Sequence, residues 1–346
     1  MRIRPARVCV FVLLALAGCG GGEAWEPDLI LFPDQDLRGE PDAAARDSVA
    51  DRGPGDDPYA PSDRVVPDAT VPDATVPDTP VEEVVQPPPE GPCNTFQALE
   101  SVADLKGSYS SGNWKNTLLT LLDRRYDPGY YILTHVQDQS QLPYFVQTGN
   151  WENFVLSAST AVHEMNHLYG WELGAWSQYG YFLCEKKTIK VPPVQTPPRS
   201  VVYALIPASV MPWVKQYADI YLTGDMGQQD LLTLLDELNA YTHSLYCDYQ
   251  LTDQFPWGIA ISSRDGLATF MLFSELYLKY VRANNAGAYG TIKNNFASLI
   301  LDLFDRANAG IDQSEVKKNQ LSLHAEAILD QVYDPDLYAE VELLAQ

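Results

Sequence analysis

The chain has 346 residues, with 46 acidic against 23 basic side chains and a formal net charge of −23. The charge is uneven: +3 over residues 1–22, −14 over 23–92 and −12 over 93–346. An acidic body with only 16 basic residues argues against nucleic-acid binding, which needs clustered Lys and Arg, and against adhesion to anionic lipid by charge. Only residues 93–346 have the composition and length to build a sizeable core.

Residues 1–18 read as an address. Arg2, Arg4 and Arg7 precede an apolar run from Val8 to Gly18, too short to span a bilayer as a mature helix. The run ends on Leu16-Ala17-Gly18-Cys19, followed by three glycines. This resembles the lipobox of bacterial lipoproteins. The resemblance implies cleavage before Cys19 and lipidation of its thiol, so that the chain is exported and anchored to a membrane. Gly20 stands where Asp would favour inner-membrane retention. The expected location is therefore the outer membrane of a Gram-negative bacterium, at its periplasmic face or the cell surface.

Residues 19–92 read as a tether. Val66-Pro67-Asp68-Ala69-Thr70 repeats as Val71-Pro72-Asp73-Ala74-Thr75 and trails into Val76-Pro77-Asp78-Thr79. Proline at every fifth position stops helix and sheet from propagating. High net charge and low hydrophobicity oppose collapse. An extended, self-repelling spacer is expected, closed by Pro87-Pro88-Pro89.

Residues 93–346 read as one folded domain of α+β class, mostly α. Asn113 has the place of an N-cap before Leu118, Leu119, Leu121 and Leu122. Tyr130–Leu133 and Pro143–Val146 read as short strands, giving a small N-terminal sheet. One helix is expected from about Asn150 to Tyr169, stopped by a left-handed Gly170. The Pro-rich stretch 192–198 is a loop. Helices are expected at about 212–222, 228–249, 265–284, 290–307 and 314–332, forming a helical C-terminal lobe. Cys93, Cys184 and Cys247 remain after export, where disulfides persist. Three leave one over, and a Cys184–Cys247 bridge would tie the loop after the first long helix to a later one. Three unpaired thiols are the alternative.

The chemistry-bearing motif is His163-Glu164-Met165-Asn166-His167. Residues four apart share a helix face, so both imidazoles can reach one metal ion while Glu164 stands beside it. With five His in the chain, chance gives roughly 0.004 such motifs. Here the sequence resembles the zincin metallopeptidases. The resemblance implies Zn²⁺, a zincin-like domain with the metal-binding helix under its small sheet, and Glu164 as general base toward a bound water.

The third ligand decides the subclass. The metzincin pattern would need His at 173, where Leu173 stands. The gluzincin pattern uses Glu on a later helix, and its best match is Glu237-Leu238-Asn239-Ala240-Tyr241. Tyr241 replaces the Asp that the family commonly uses to orient a ligand His. Glu172 and Asp225 are rival ligands. Tyr241 and His243 are candidates to hold a developing oxyanion. His135 and His324 read as structural, although His135 could face the cleft. The aromatics Tyr169, Trp171, Trp176, Tyr179, Tyr181 and Phe182 fit core packing more readily than an apolar subsite.

The expectation is thus a lipid-anchored, monomeric zinc hydrolase acting on peptide or protein substrates. His163, His167 and Glu237 would be metal ligands, and Glu164, Tyr241 and His243 catalytic residues. A non-catalytic envelope lipoprotein on the same scaffold, or a zinc amidase acting on cell-wall peptides, are the alternatives.

Overall fold

The computed structural model describes residues 93, 94 and 96–346. The readings of the address, of Cys19 and of the tether lie outside these residues. Among them no helix is long and apolar enough to cross a membrane.

The first helices are α1 (Ala103–Ser108), α2 (Trp114–Arg125), α3 (Asp127–His135), α4 (Trp151–Leu156) and α5 (Ala158–Leu173). A hairpin follows, β1 (Tyr179–Cys184) and β2 (Lys187–Val191). The rest is helical: α6 (Met211–Tyr221), α7 (Gly224–Gly227), α8 (Leu231–Leu251), α9 (Ser263–Asn284), α10 (Ala286–Ser314), α11 (Lys318–Leu321), α12 (Ala325–Val332) and α13 (Pro335–Glu342). The mostly helical class with one small sheet agrees with the sequence reading.

The sheet lies elsewhere than expected. Tyr130–Leu133 belongs to α3, because Asp127-Pro128 starts a helix: Pro at the first turn gives up an amide no helix bond needs. Leu142–Tyr144 is a 3-10 turn. The strands come after the motif helix, where Tyr179, Tyr181 and Phe182 pair with β-branched Thr188, Ile189 and Val191 of β2.

Helix α8 is the central element. Seventeen of its 21 residues are buried, and it packs against α5, α9, α10 and β1. The segment expected as one helix from Asn150 is two, broken at Ser157. Its hydroxyl donates to Phe154 O and accepts from Gln147 N. Gly170 does not stop α5, which runs on to Leu173. Its lack of a side chain serves the sheet instead: a Cβ there would stand 2.5 Å from Gly180 O, and one on Gly180 2.4 Å from Gly170 O. The turn after α5 is made by Ala175 and Trp176, both at positive φ.

The disulfide joins Cys93 to Cys184, and Cys247 is a buried free thiol. The Cys184–Cys247 pairing is therefore wrong. Cys184 ends β1, while Cys247 points into the α8 core with no exposure. Of the aromatics after the motif, Tyr169, Tyr181 and Phe182 are core, whereas Trp176 is exposed.

Candidate metal centre

Helices α5 and α8 face each other along polar stripes. On α5 the stripe is Ser159, His163 and His167. On α8 it is Glu237, Tyr241, Ser244 and Asp248, spaced at helical intervals. His163, His167 and Glu237 converge as a buried group able to hold a metal ion. The two Nε2 atoms stand 3.2 Å apart. Glu237 Oε2 lies 3.6 Å from His163 Nε2 and 3.5 Å from His167 Nε2. That oxygen is buried and has no hydrogen-bond partner.

The far sides of both imidazoles are held. Asp236 Oδ2 accepts from His167 Nδ1 at 2.8 Å. Ser244 Oγ donates to Ala240 O, which leaves it to accept from His163 Nδ1 at 3.1 Å. With both Nδ1 atoms protonated, neutral imidazoles direct their Nε2 lone pairs inward, together with the Glu237 oxygen. Three acceptors aimed at one point repel unless a cation lies among them. A proton can substitute in part. Burial opposes it, but Asp236 and Glu237 outweigh burial and raise the His167 pKa well above the ordinary value. Burial also works against the Glu237 carboxylate, and the His167 and His163 imidazoles outweigh it, holding its pKa below the usual range.

Glu164 is 8% exposed, and burial raises its pKa despite the lowering effect of His163 and His167. Tyr241 lies edge-on to the His163 ring at 4.7 Å, and its hydroxyl stands 3.4 Å from that of Tyr221. Burial, then the Glu237 carboxylate, push the Tyr221 phenol far up, and Glu164 adds to the effect. Tyr221 thus belongs to the centre, although nothing in the sequence singled it out.

The structure removes His243 from the site. It is fully buried on another face of α8. Its Nε2 donates to Phe182 O at 2.8 Å, and its Nδ1 accepts from Tyr126 Oη at 2.6 Å. Both nitrogens are committed, and burial together with Arg306 pushes its pKa far down. It pins β1 to α8 and has no donor left for an oxyanion. Glu172 caps the turn after α3, accepting from the Gln137 and Asp138 amides. Asp225 sits on α7, outside the group. His135 stacks on Tyr131 and His324 on Trp213.

Asp236 was missed by sequence reasoning. Its carboxylate holds His167 Nδ1, an orienting contact for which the sequence offered no residue once Tyr241 stood at the position considered. Its signal was adjacency to Glu237 on a helix of mainly apolar neighbours. No family model, curated protein or solved structure matches the chain.

Proposed function

We propose that the protein is a zinc-dependent hydrolase acting on peptide bonds. The observation that carries this reading is the triangle of donor atoms. Three ligands about 2.05 Å from a tetrahedral zinc stand about 3.3–3.4 Å apart, roughly 1.63 times the bond length. The three edges here are 3.2, 3.5 and 3.6 Å. An octahedral magnesium site would need edges of about 2.9–3.0 Å and oxygen donors. Two imidazoles and one carboxylate suit zinc, and a three-residue set leaves a fourth position for water.

Zinc bound there would act as a Lewis acid and make the water easier to deprotonate. Glu164 would take that proton and return it to the leaving nitrogen. Its raised pKa suits a group that must both accept and donate. The Tyr241 and Tyr221 hydroxyls would donate hydrogen bonds to the oxygen that gains charge. Asp236 and Ser244 would keep both imidazoles turned inward. The Cys93–Cys184 disulfide supports the expectation of export to an oxidising compartment. A lipid anchor at Cys19 and attachment to the outer membrane complete the proposal.

A second reading rests on closure. His163, His167 and Glu237 are only 3–6% exposed. A cavity of about 350 Å³ opens elsewhere, between Pro207, Tyr280 and Leu337. A closed site favours a structural metal in a binding lipoprotein. Against it, structural zinc takes four protein ligands, and a structural site has no use for Glu164.

The deciding experiment is Glu164→Gln, with zinc content and cleavage of a peptide library as readouts. Zinc should stay at one per chain while turnover falls by roughly 10²–10⁴. Equal cleavage by the variant would end the peptidase reading. Zinc binding without any cleavable substrate would favour the structural one.

A further inference from the structure

Among the described residues four arginines are 0–2% exposed: Arg125, Arg199, Arg264 and Arg306. Three of them commit their terminal nitrogens. Arg125 forks onto Asp253 and bonds Gln250 O. Arg264 bonds Ile311 O, Ser314, Glu315 and Glu326. Arg306 bonds Tyr126 and Asn239. In each of these only Nε lacks a partner.

Arg199 is the reverse. Its Nε donates to Met226 O at 2.9 Å, and its backbone amide donates to Gln229 O at 2.7 Å. Both Nη atoms are buried without a partner. The side chain is therefore tied at its root while the buried donor fork is left without a hydrogen-bond acceptor. A buried guanidinium cannot shed its charge, and each unmade hydrogen bond leaves desolvation uncompensated. The nearby acids are engaged elsewhere. Asp230 caps α8 by accepting from Thr233 N, Asp236 holds His167, and Glu237 faces the imidazoles.

The fork is linked to the candidate metal centre through two tyrosines. Its carbon lies 5.6 Å from the centroid of the Tyr221 ring. The Tyr221 hydroxyl meets that of Tyr241, whose ring abuts His163. The path from fork to metal ligand is two aromatic side chains long.

We infer that Arg199 receives a carboxylate of the peptide substrate in a bidentate pair, so that the enzyme prefers an anionic group close to the bond it cleaves. The planar fork matches a carboxylate in geometry and charge. The inference rests on the peptidase reading and adds a substrate class to it. The carboxylate can be the peptide's C-terminus or an Asp or Glu side chain beside the scissile bond, and the test separates these.

The full chain, loaded with zinc, is given matched peptide pairs: free C-terminal acid against C-terminal amide, and Glu against Gln at each position flanking the cleaved bond. Cleavage is read on the unmodified protein, and binding by calorimetry on Glu164→Gln. One acid should exceed its neutral counterpart by roughly 10²-fold in kcat/KM and in affinity. Arg199→Met should erase that ratio, and Arg199→Lys should retain part of it. Equal treatment of every acid and its counterpart by the unmodified protein overturns the inference while the peptidase reading stands. So does a ratio that persists in Arg199→Met. If Arg199→Met does not fold, the acid-to-neutral ratio of the unmodified protein and its change in Arg199→Lys decide. If no peptide of either kind is bound or cleaved, the peptidase reading falls and takes this inference with it.

Discussion

Glu237→Gln is the sharpest test of the donor triangle. The substitution keeps the volume of the side chain and removes its charge. Glu237 is 3% exposed, with Oε2 unpaired and about equally far from both imidazole nitrogens. Without metal, its loss removes one of the two carboxylates that favour a proton on His167, so the zinc-dependent shift is compared within each protein. A ligand at 100 times its Kd stabilises the folded state by about 2.7 kcal/mol. For a domain of this size 1 kcal/mol moves Tm by about 2–4 °C. Zinc at that concentration should therefore raise the Tm of the unmodified protein by about 5–11 °C. If Glu237→Gln weakens zinc by 10³ or more, the same concentration contributes under about 0.1 kcal/mol and no measurable shift. Calorimetry with and without zinc, after chelator treatment, reads both numbers. An equal zinc-dependent shift in Glu237→Gln would show that the third ligand is another residue. No shift in the unmodified protein would remove the metal altogether.

Asp236→Asn should weaken zinc by about 10–100-fold in chelator competition, because Asp236 fixes the His167 ring and raises its basicity; unchanged affinity would deny it that role. Glu275, on α9, gives a pH prediction. It is fully buried, both carboxylate oxygens lack partners, and burial raises its pKa from 4.5 to about 9. The folded chain then holds a proton that the unfolded chain has released. The Glu275 contribution to stability should be fully present below about pH 4.5 and be lost as pH rises toward 9, by up to about 1.4 kcal/mol per pH unit. Glu275→Met should flatten that slope and stabilise the protein at pH 8 by a few kcal/mol, measured by denaturant unfolding across pH. A wild-type slope that survives in Glu275→Met would refute the assignment.

The motif was legible because two residues four apart on a helix must share a face, whatever surrounds them. Glu237 was found through the family pattern on a second helix, and its burial fits that role. His243 shows the limit of counting along the chain. Six residues past Glu237 is about 120° around the helix, and on α8 that angle leads to Phe182 and Arg306 rather than to the donor triangle. Asp236 is only one position from Glu237, yet it reaches the outer nitrogen of His167. Which of two adjacent acids faces both Nε2 atoms and which holds an Nδ1 depends on how α8 is turned against α5, and neither helix carries that information alone. The strands were misplaced for a local reason. Tyr130-Tyr131-Ile132-Leu133 has strand composition, but Pro128 at the first helical turn and packing on α5 override it. The disulfide partner was hidden because Cys93 and Cys184 are 91 residues apart, brought together only by the fold.

The energetics of the α5–α8 contact also point to function. Two helices this deeply buried would pack most stably through apolar side chains. Here the facing stripe is instead His163, His167, Glu237, Tyr241, Ser244 and Asp248, and Glu237 and Asp248 each leave an oxygen without a partner. Burial raises the Asp248 carboxyl to about 7, so part of its charge is given up rather than paired. Asn166 adds a third unpaired oxygen from α5. Such groups cost stability wherever they stand alone. Other buried groups without partners stand outside this contact, Glu275 and Arg199 among them, but here three such oxygens share the two helices that bear the donor triangle. Local departures from apolar packing are expected at functional or strained sites, and this one coincides with the only group among the described residues whose donor atoms converge as a metal site would require.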